Sequence, residues 1–374
     1  MYVQLLVIFL SLIAAWYYSQ GLTPWNRDHR RKQYVIFVCI LLILQSGLRH
    51  LSVGADTFAY KMMFDDVKST SWEQIWQNFY DVYVLGEGKD AGYPLLEKLF
   101  QIFFPEYRLF LVAIAIFFFG SLGQFLYRNT QRIGDILISV CLYQALFYSF
   151  FSITGIRQTI ATAFTLLAYK YIQNKRLFLF IIFICIAAFI HKSALIFLPF
   201  YFIAKFKYSQ WLLIGATISV PFIFPIARRF AAILASLSAS ETYMKYAESD
   251  YETSGAQVFF IFMLLIALAT IFKSKSIIYN KRINAESIIN AFSLALIFTP
   301  LTWVDPSLMR VVQYYSIFSI LLLPTLIDIY SSSRKNKSVI AAICILLFCL
   351  VLIRRHADYA FFWENIVSRD IIYN

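Results

Sequence analysis

Residues 49–60 read RHLSVGADTFAY and follow directly on an apolar stretch that looks like a membrane span. An arginine, a turn-permitting glycine, an aspartate and a tyrosine therefore meet where lipid gives way to water. Ionisable groups are costly in that setting and mark functional sites. Arg49 offers a bidentate donor for phosphate oxygens. Asp56, two residues after Gly54, offers either a base or an N-cap for a short helix from Thr57. Polar groups of the same kind recur at other span ends: Arg157 in SITGIRQTIATAF, His191-Lys192 after an unbroken apolar run, Arg228-Arg229, and Asp305 with Arg310 in TWVDPSLMRVVQYY. Arginines converging from several helix ends make a site for phosphate. In SITGIRQT, Ser152, Thr154 and Gly155 precede a helix opening near Arg157, so a cap, a positive dipole end and a guanidinium coincide. Lys192 beside His191 favours the neutral, proton-accepting ring. Asp56 is thus the leading candidate for a base or a sugar-orienting group, His191 its partner or the alternative base, and Arg49, Arg157, Lys192, Arg229 and Arg310 the candidate anion contacts. The competing readings are a helix cap for Asp56, a satisfied structural ring for His191 and lipid-headgroup contacts for the arginines. Asp90 and Glu97 are further acids, read as solvated loop residues.

The elements that must position these groups follow from composition. The chain has 374 residues, 60% hydrophobic and 14% charged, against roughly 25% charged in a soluble domain. This is an all-α polytopic membrane protein, with residues 1–374 forming a single transmembrane domain. The formal charge is +12. Its basic residues fall in short clusters between apolar runs, which points to membrane topology rather than to nucleic acid. The cysteines (Cys39, Cys141, Cys185, Cys344, Cys349) all lie in apolar runs without metal or redox spacing. Residues 2–18 lack preceding basic residues and a cleavage site, and read as an uncleaved first span.

A span needs about 20 mostly apolar residues. Twelve candidates fall at 2–18, 34–48, 107–126, 133–151, 158–173, 177–190, 194–204, 209–227, 256–272, 285–303, 308–328 and 338–353. Keeping 177–190 and 194–204 as separate crossings puts 18 Lys/Arg and four acids on one side, against 15 and 17 on the other. That asymmetry obeys the positive-inside rule and places both termini outside. The outer face then carries two long loops, 49–106 and 228–255, and the tail from Arg354. Within the first loop, 72–85 (WEQIWQNFYDVYVL) is amphipathic, and 93–105 (YPLLEKLFQIFFP) is apolar but too short to cross, suiting an interfacial or re-entrant helix.

No HExxH, GxSxG, P-loop or EF-hand pattern occurs, and neither a metal nor another cofactor is called for. The outward site and the lack of a nucleotide pocket favour a lipid-linked donor. A lipid-linked glycan flippase or transporter would spread polar groups along its spans, whereas here they gather at one face. A membrane glycan ligase, a polyprenyl-phosphate-sugar glycosyltransferase or, on thinner grounds, an acyltransferase remains open.

Four short motifs in order carry a resemblance: Gly54, Asp56, Thr57 and Tyr60; Gly92, Tyr93 and Pro94; Arg157-Gln158; and His191, Ser193 and Pro199. In this order they resemble the EpsG family of Wzy-type polymerases of bacterial surface polysaccharides. The motifs lie between about residues 40 and 200, while the hydropathy agrees along the whole chain. The resemblance implies an inverting, metal-independent glycosyltransferase in the bacterial cytoplasmic membrane with its site facing outward. It moves a glycan from undecaprenyl diphosphate onto the non-reducing end of an incoming lipid-linked repeat unit, in the making of O-antigen, capsule or exopolysaccharide. The expected partners are those lipid-linked repeat units and membrane lipids, with a chain-length regulator and a flippase beside them. Tyr60, Tyr93 and Gln158 are then candidate sugar contacts. The region of Asp305 and Arg310 matches no element of the family.

Overall fold

The computed structural model describes residues 2–54, 56–88, 90–237, 257–279, 284–331 and 359–364. These residues are almost entirely helical. The helices are α1 (Tyr2–Ser19), α2 (Arg27–Gly47), α3 (Thr57–Ser69), α4 (Trp72–Tyr80), α5 (Gly92–Gln101), α6 (Tyr107–Asn129), α7 (Ile133–Leu146) and α8 (Ile156–Gln173). They continue with α9 (Leu177–Ile190), α10 (Phe200–Ile203), α11 (Ser209–Ile223), α12 (Ala227–Leu237), α13 (Gln257–Tyr279), α14 (Ala285–Phe298), α15 (Met309–Ser316) and α16 (Ser319–Tyr330). A helix satisfies its own backbone hydrogen bonds, which is why apolar segments in lipid adopt it.

Five helices among the described residues are long and apolar enough to cross a membrane: Tyr2–Ser19, Tyr107–Asn129, Ser209–Leu234, Gln257–Tyr279 and Ala285–Trp303. The pair Met309–Ser316 and Ser319–Tyr330, bent by 46°, makes a sixth if it is one span. The expected count of twelve is therefore not reached on this criterion, and the reasons are local. α2 opens on a charged turn, RDHRRK. The expected span 133–151 ends in a π-turn at Ser149–Ile153, and 194–204 is a 3₁₀ segment followed by one turn of α-helix. The expected span 338–353, with Cys344 and Cys349, lies outside the described residues. Helix 209–234 also runs past its expected end at residue 227, so Arg228 and Arg229 sit on a helix rather than in a loop.

Polar bonds join the helices where lipid offers none. Gln144 Nε2 donates to Gln45 Oε1 at 2.6 Å, the Tyr143 and Ser152 hydroxyls meet at 2.7 Å, and Ser46 Oγ donates to the Ser152 carbonyl at 2.9 Å. Ser152 is thereby committed to α2 and α7. It does not cap α8: that helix starts after Gly155 (φ +67°) without a side-chain cap. The expected Ser/Thr-capped start at Arg157 is corrected accordingly.

The loop 49–106 holds α3, α4 and α5. A capping box opens α4: Gln74 N–H donates to Ser71 Oγ, and Ser71 N–H to Gln74 Oε1. Gly54 turns the chain at φ +99°, and a Cβ there would lie 2.2 Å from Ile153 Cγ2. The segment between the Arg49 and Asp56 side chains therefore rests on the strand of chain that leads into α8. α5 rests on the end of α9 in the same manner. A Cβ on Gly92 would come within 2.3 Å of the Phe189 carbonyl oxygen. Beneath α3 and α5, Tyr60, Phe64, Tyr93, Phe110, Ile160 and Ile190 share one buried apolar cluster.

Candidate active site

The close seating of α5 on α9 brings Asp90, two residues before α5, against the residues that follow α9. Asp90 holds a left-handed conformation (φ +54°), uncommon for a residue with a side chain and a marker of local constraint. It is 2% exposed. Its Oδ2 accepts from Arg157 Nη1 at 3.1 Å and from His191 Nδ1 at 3.0 Å. Its Oδ1 accepts the backbone N–H of Lys192 at 3.0 Å. One carboxylate thus ties together the start of α5, the first turn of α8 and the end of α9.

Arg157 is further held by aromatic groups. Its Nε donates to Tyr60 Oη at 3.4 Å, and its guanidinium carbon lies 5.7 and 5.9 Å from the Tyr60 and Tyr93 ring centroids, within cation–π range. The two rings meet edge to face at 5.6 Å. Next along α8, Gln158 Nε2 donates to the Arg310 carbonyl at 2.8 Å, which fixes α15 beside the cluster. The hydroxyls of Ser193 and Tyr314 meet at 3.0 Å and fix the other side of the His191 turn. Lys192 places its ammonium 5.9 Å from the Tyr83 ring.

Burial would raise the Asp90 carboxyl. The His191 ring, its hydrogen bond, the Arg157 charge and the Lys192 N–H outweigh that and hold it well below the usual carboxylate range. Burial lowers the His191 pKa. Asp90 opposes the shift, and the Arg310 and Arg157 charges add to it. A carboxylate only accepts, so the neutral ring carries its proton on Nδ1 and leaves Nε2 as an acceptor. Nε2 is buried and has no hydrogen-bond partner. An ionised acid orienting an imidazole with a vacant acceptor nitrogen is the arrangement of a general base.

Seven expected site residues belong to this cluster: Tyr60, Tyr93, Arg157, Gln158, His191, Lys192 and Arg310. Lys192 is tied in by its backbone N–H and Arg310 by its carbonyl, and the other three do not join the cluster. Asp56 stands at the N-cap of α3 with no side-chain cap bond, one turn from Tyr60. Arg49 is buried separately at the end of α2, where Nη1 donates to the Ser46 carbonyl at 2.7 Å. Arg229 is on the exposed side of α12.

The two acids read as solvated are both buried, which corrects that reading. Asp90 is the hub of the cluster. Glu97, on α5, is 0% exposed, and neither of its oxygens is in hydrogen-bond geometry with a partner. Burial pushes its carboxyl up to about 8, with the Tyr93 hydroxyl and Arg157 pulling the other way. The signal for Asp90 was indirect: an arginine drawn away from water beside a buried histidine requires a counter-charge, and Asp90 stands two residues before the GYP motif.

A search of curated proteins finds no match to this chain, and neither does a search of solved structures. The model of the EpsG family, whose members are Wzy-like polymerases, matches residues 32–367. That span contains every residue of the Asp90 cluster, and the chain belongs to the EpsG family.

Proposed function

We propose that this protein polymerises a bacterial surface polysaccharide at the outer face of the cytoplasmic membrane, as an inverting, metal-independent glycosyltransferase. The donor glycan is carried on undecaprenyl diphosphate and the acceptor is a lipid-linked repeat unit. The observation that supports this most is the Asp90 carboxylate shared by Arg157 and His191, with Nε2 of the histidine left as an acceptor.

The acceptor hydroxyl oxygen attacks the anomeric carbon of the donor sugar. As that bond forms, the bond from the same carbon to the diphosphate oxygen breaks, and the diphosphate leaves with the electron pair. The hydroxyl proton passes to His191 Nε2. Arg157, Arg310 and Lys192 supply positive charge where the leaving diphosphate gains negative charge, the interaction that accelerates such a step. Asp56, one turn before Tyr60 on α3, orients the acceptor sugar. His191 is 3% exposed, so substrate reaches Nε2 through local opening of the chain around it. Tyr83, stacked on Phe189 at 5.9 Å and 3°, and the exposed Trp76 offer aromatic faces to the glycan.

Purified protein in detergent, given synthetic lipid-linked repeat units, is expected to yield a ladder of products, and His191→Ala to yield none. A wild-type protein that forms no ladder but carries lipid-linked sugars across vesicle membranes would overturn the proposal in favour of a flippase.

A further inference from the structure

Below the Asp90 cluster the protein surface is concave and apolar. The groove has a volume of about 410 Å³ and lies between α5, α6, α8 and α9, with Leu96, Ala113, Ile160, Phe164, Ile186 and Ile190 among its walls. That size is typical of a ligand site. Its placement is specific. On α8, Arg157, Ile160 and Phe164 follow at helical spacing, so the face that bears the guanidinium continues downward as groove wall. On α9, Ile186 and Ile190 lead up to His191. The ceiling is Gly92, two residues after Asp90. A cationic head site and an apolar slot therefore adjoin along α8 and α9, with Ile160 one turn from Arg157 and Ile190 next to His191, and together they have the outline of an amphiphile with an anionic head.

We propose that this groove holds the first isoprene units of the polyprenyl diphosphate whose phosphates meet Arg157. The inference rests on the polymerase reading and deepens it. An isoprenoid tail suits the slot because its walls are branched and aromatic side chains with no polar group to satisfy. Charge complementarity at the upper end selects a diphosphate over the zwitterionic or singly charged headgroups of bulk lipid. Seating the tail here aims the diphosphate at the guanidinium and keeps the anomeric carbon near His191.

The test is binding of a long-chain polyprenyl diphosphate to the purified full chain, measured by native mass spectrometry in detergent, with a two-isoprene diphosphate for comparison. Wild type is expected to prefer the long chain. Ala113→Trp, which fills the groove, should weaken long-chain binding at least tenfold and narrow the preference. Ile116→Trp, on the exposed side of α6, should leave binding as in wild type. Leu96→Phe fills the same groove from α5 and serves if Ala113→Trp does not fold. Long-chain binding that is indifferent to both groove fillers, or equally weakened by Ile116→Trp, would overturn the assignment. No turnover is needed for this readout. Groove-dependent binding without a product ladder would defeat the polymerase reading alone, and a ladder with groove-indifferent binding would defeat the groove alone.

Discussion

Arg49, which is buried, and Arg157, which is partly buried, both stand at helix ends of the loop region, yet their surroundings differ. Arg157 faces a carboxylate, a tyrosine hydroxyl and two aromatic rings. Arg49 has no ion pair among the described residues. It donates to the Ser46 carbonyl near the end of α2, where carbonyls lack intrahelical partners and the dipole favours a cation. Its backbone pairs with Phe361, and the neighbouring His50 N–H donates to the Ala360 carbonyl at 2.8 Å. Arg49 therefore closes a helix and anchors the segment 359–364. Arg157 is held by groups that a diphosphate can share or displace. The same residue type in the same kind of position is tied to backbone in one case and to a carboxylate and aromatic side chains in the other; on the proposed function only the second meets the diphosphate.

Substitutions sharpen that contrast. The largest effect is expected at the paired arginine: Arg157→Ala should abolish long polymer, lowering the rate by about 10²–10³-fold, while the protein still inserts in the membrane. Arg49→Ala should instead act on the fold. Loss of its buried bond costs about 1–3 kcal/mol, to be read as a lower unfolding temperature in detergent, with most activity retained per folded molecule. A larger loss of activity than of stability in Arg49→Ala would erase the distinction. The smallest effect belongs to Arg229→Ala. On the exposed side of α12 it should leave ladder length within about twofold of wild type, as surface substitutions away from structural features do.

Glu97 adds a pH test on the same helix that carries Tyr93. Its folded pKa of about 8 exceeds the ordinary value of 4.5 for a glutamate. An acid whose pKa is raised by folding binds a proton that the unfolded chain has released. Stability therefore falls as pH rises from the unfolded pKa to the folded one and is level above it. Glu97→Gln should flatten this decline between about pH 4.5 and 8. Thermal unfolding scans of both proteins across that window check it, and parallel declines would show that Glu97 is not the buried neutral acid.

Much of this was legible before the fold was known. Hydropathy marked the helices, and the ordered motifs at Tyr60, Tyr93, Arg157-Gln158 and His191 converge in space. Asp90 was not legible, because its neighbourhood GEGKDAGYP is polar and carries no apolar period. Its burial depends on Gly92 meeting the Phe189 backbone, nearly a hundred residues away. The Ser/Thr cap expected before Arg157 failed for a related reason: Ser152 is claimed by Tyr143 and Ser46 from other helices. The bend between α15 and α16 lies at residues 317–318, not at Pro324 within α16, so no helix-breaking residue marks where that span divides.

The central claim is that Asp90 orients His191 as the base. The pH dependence of kcat/KM for polymerisation of synthetic lipid-linked repeat units tests it most directly, comparing wild type with Asp90→Asn. A neutral histidine is the active form, so activity should fall on the acid side through a pKa below the ordinary 6.5 of a histidine. Asp90 raises that pKa by stabilising the protonated ring. Asp90→Asn should therefore lower the rate by about 10²-fold and move the acid limb to still lower pH. An acid limb that stays in place in Asp90→Asn, or that survives in His191→Gln, would contradict the account.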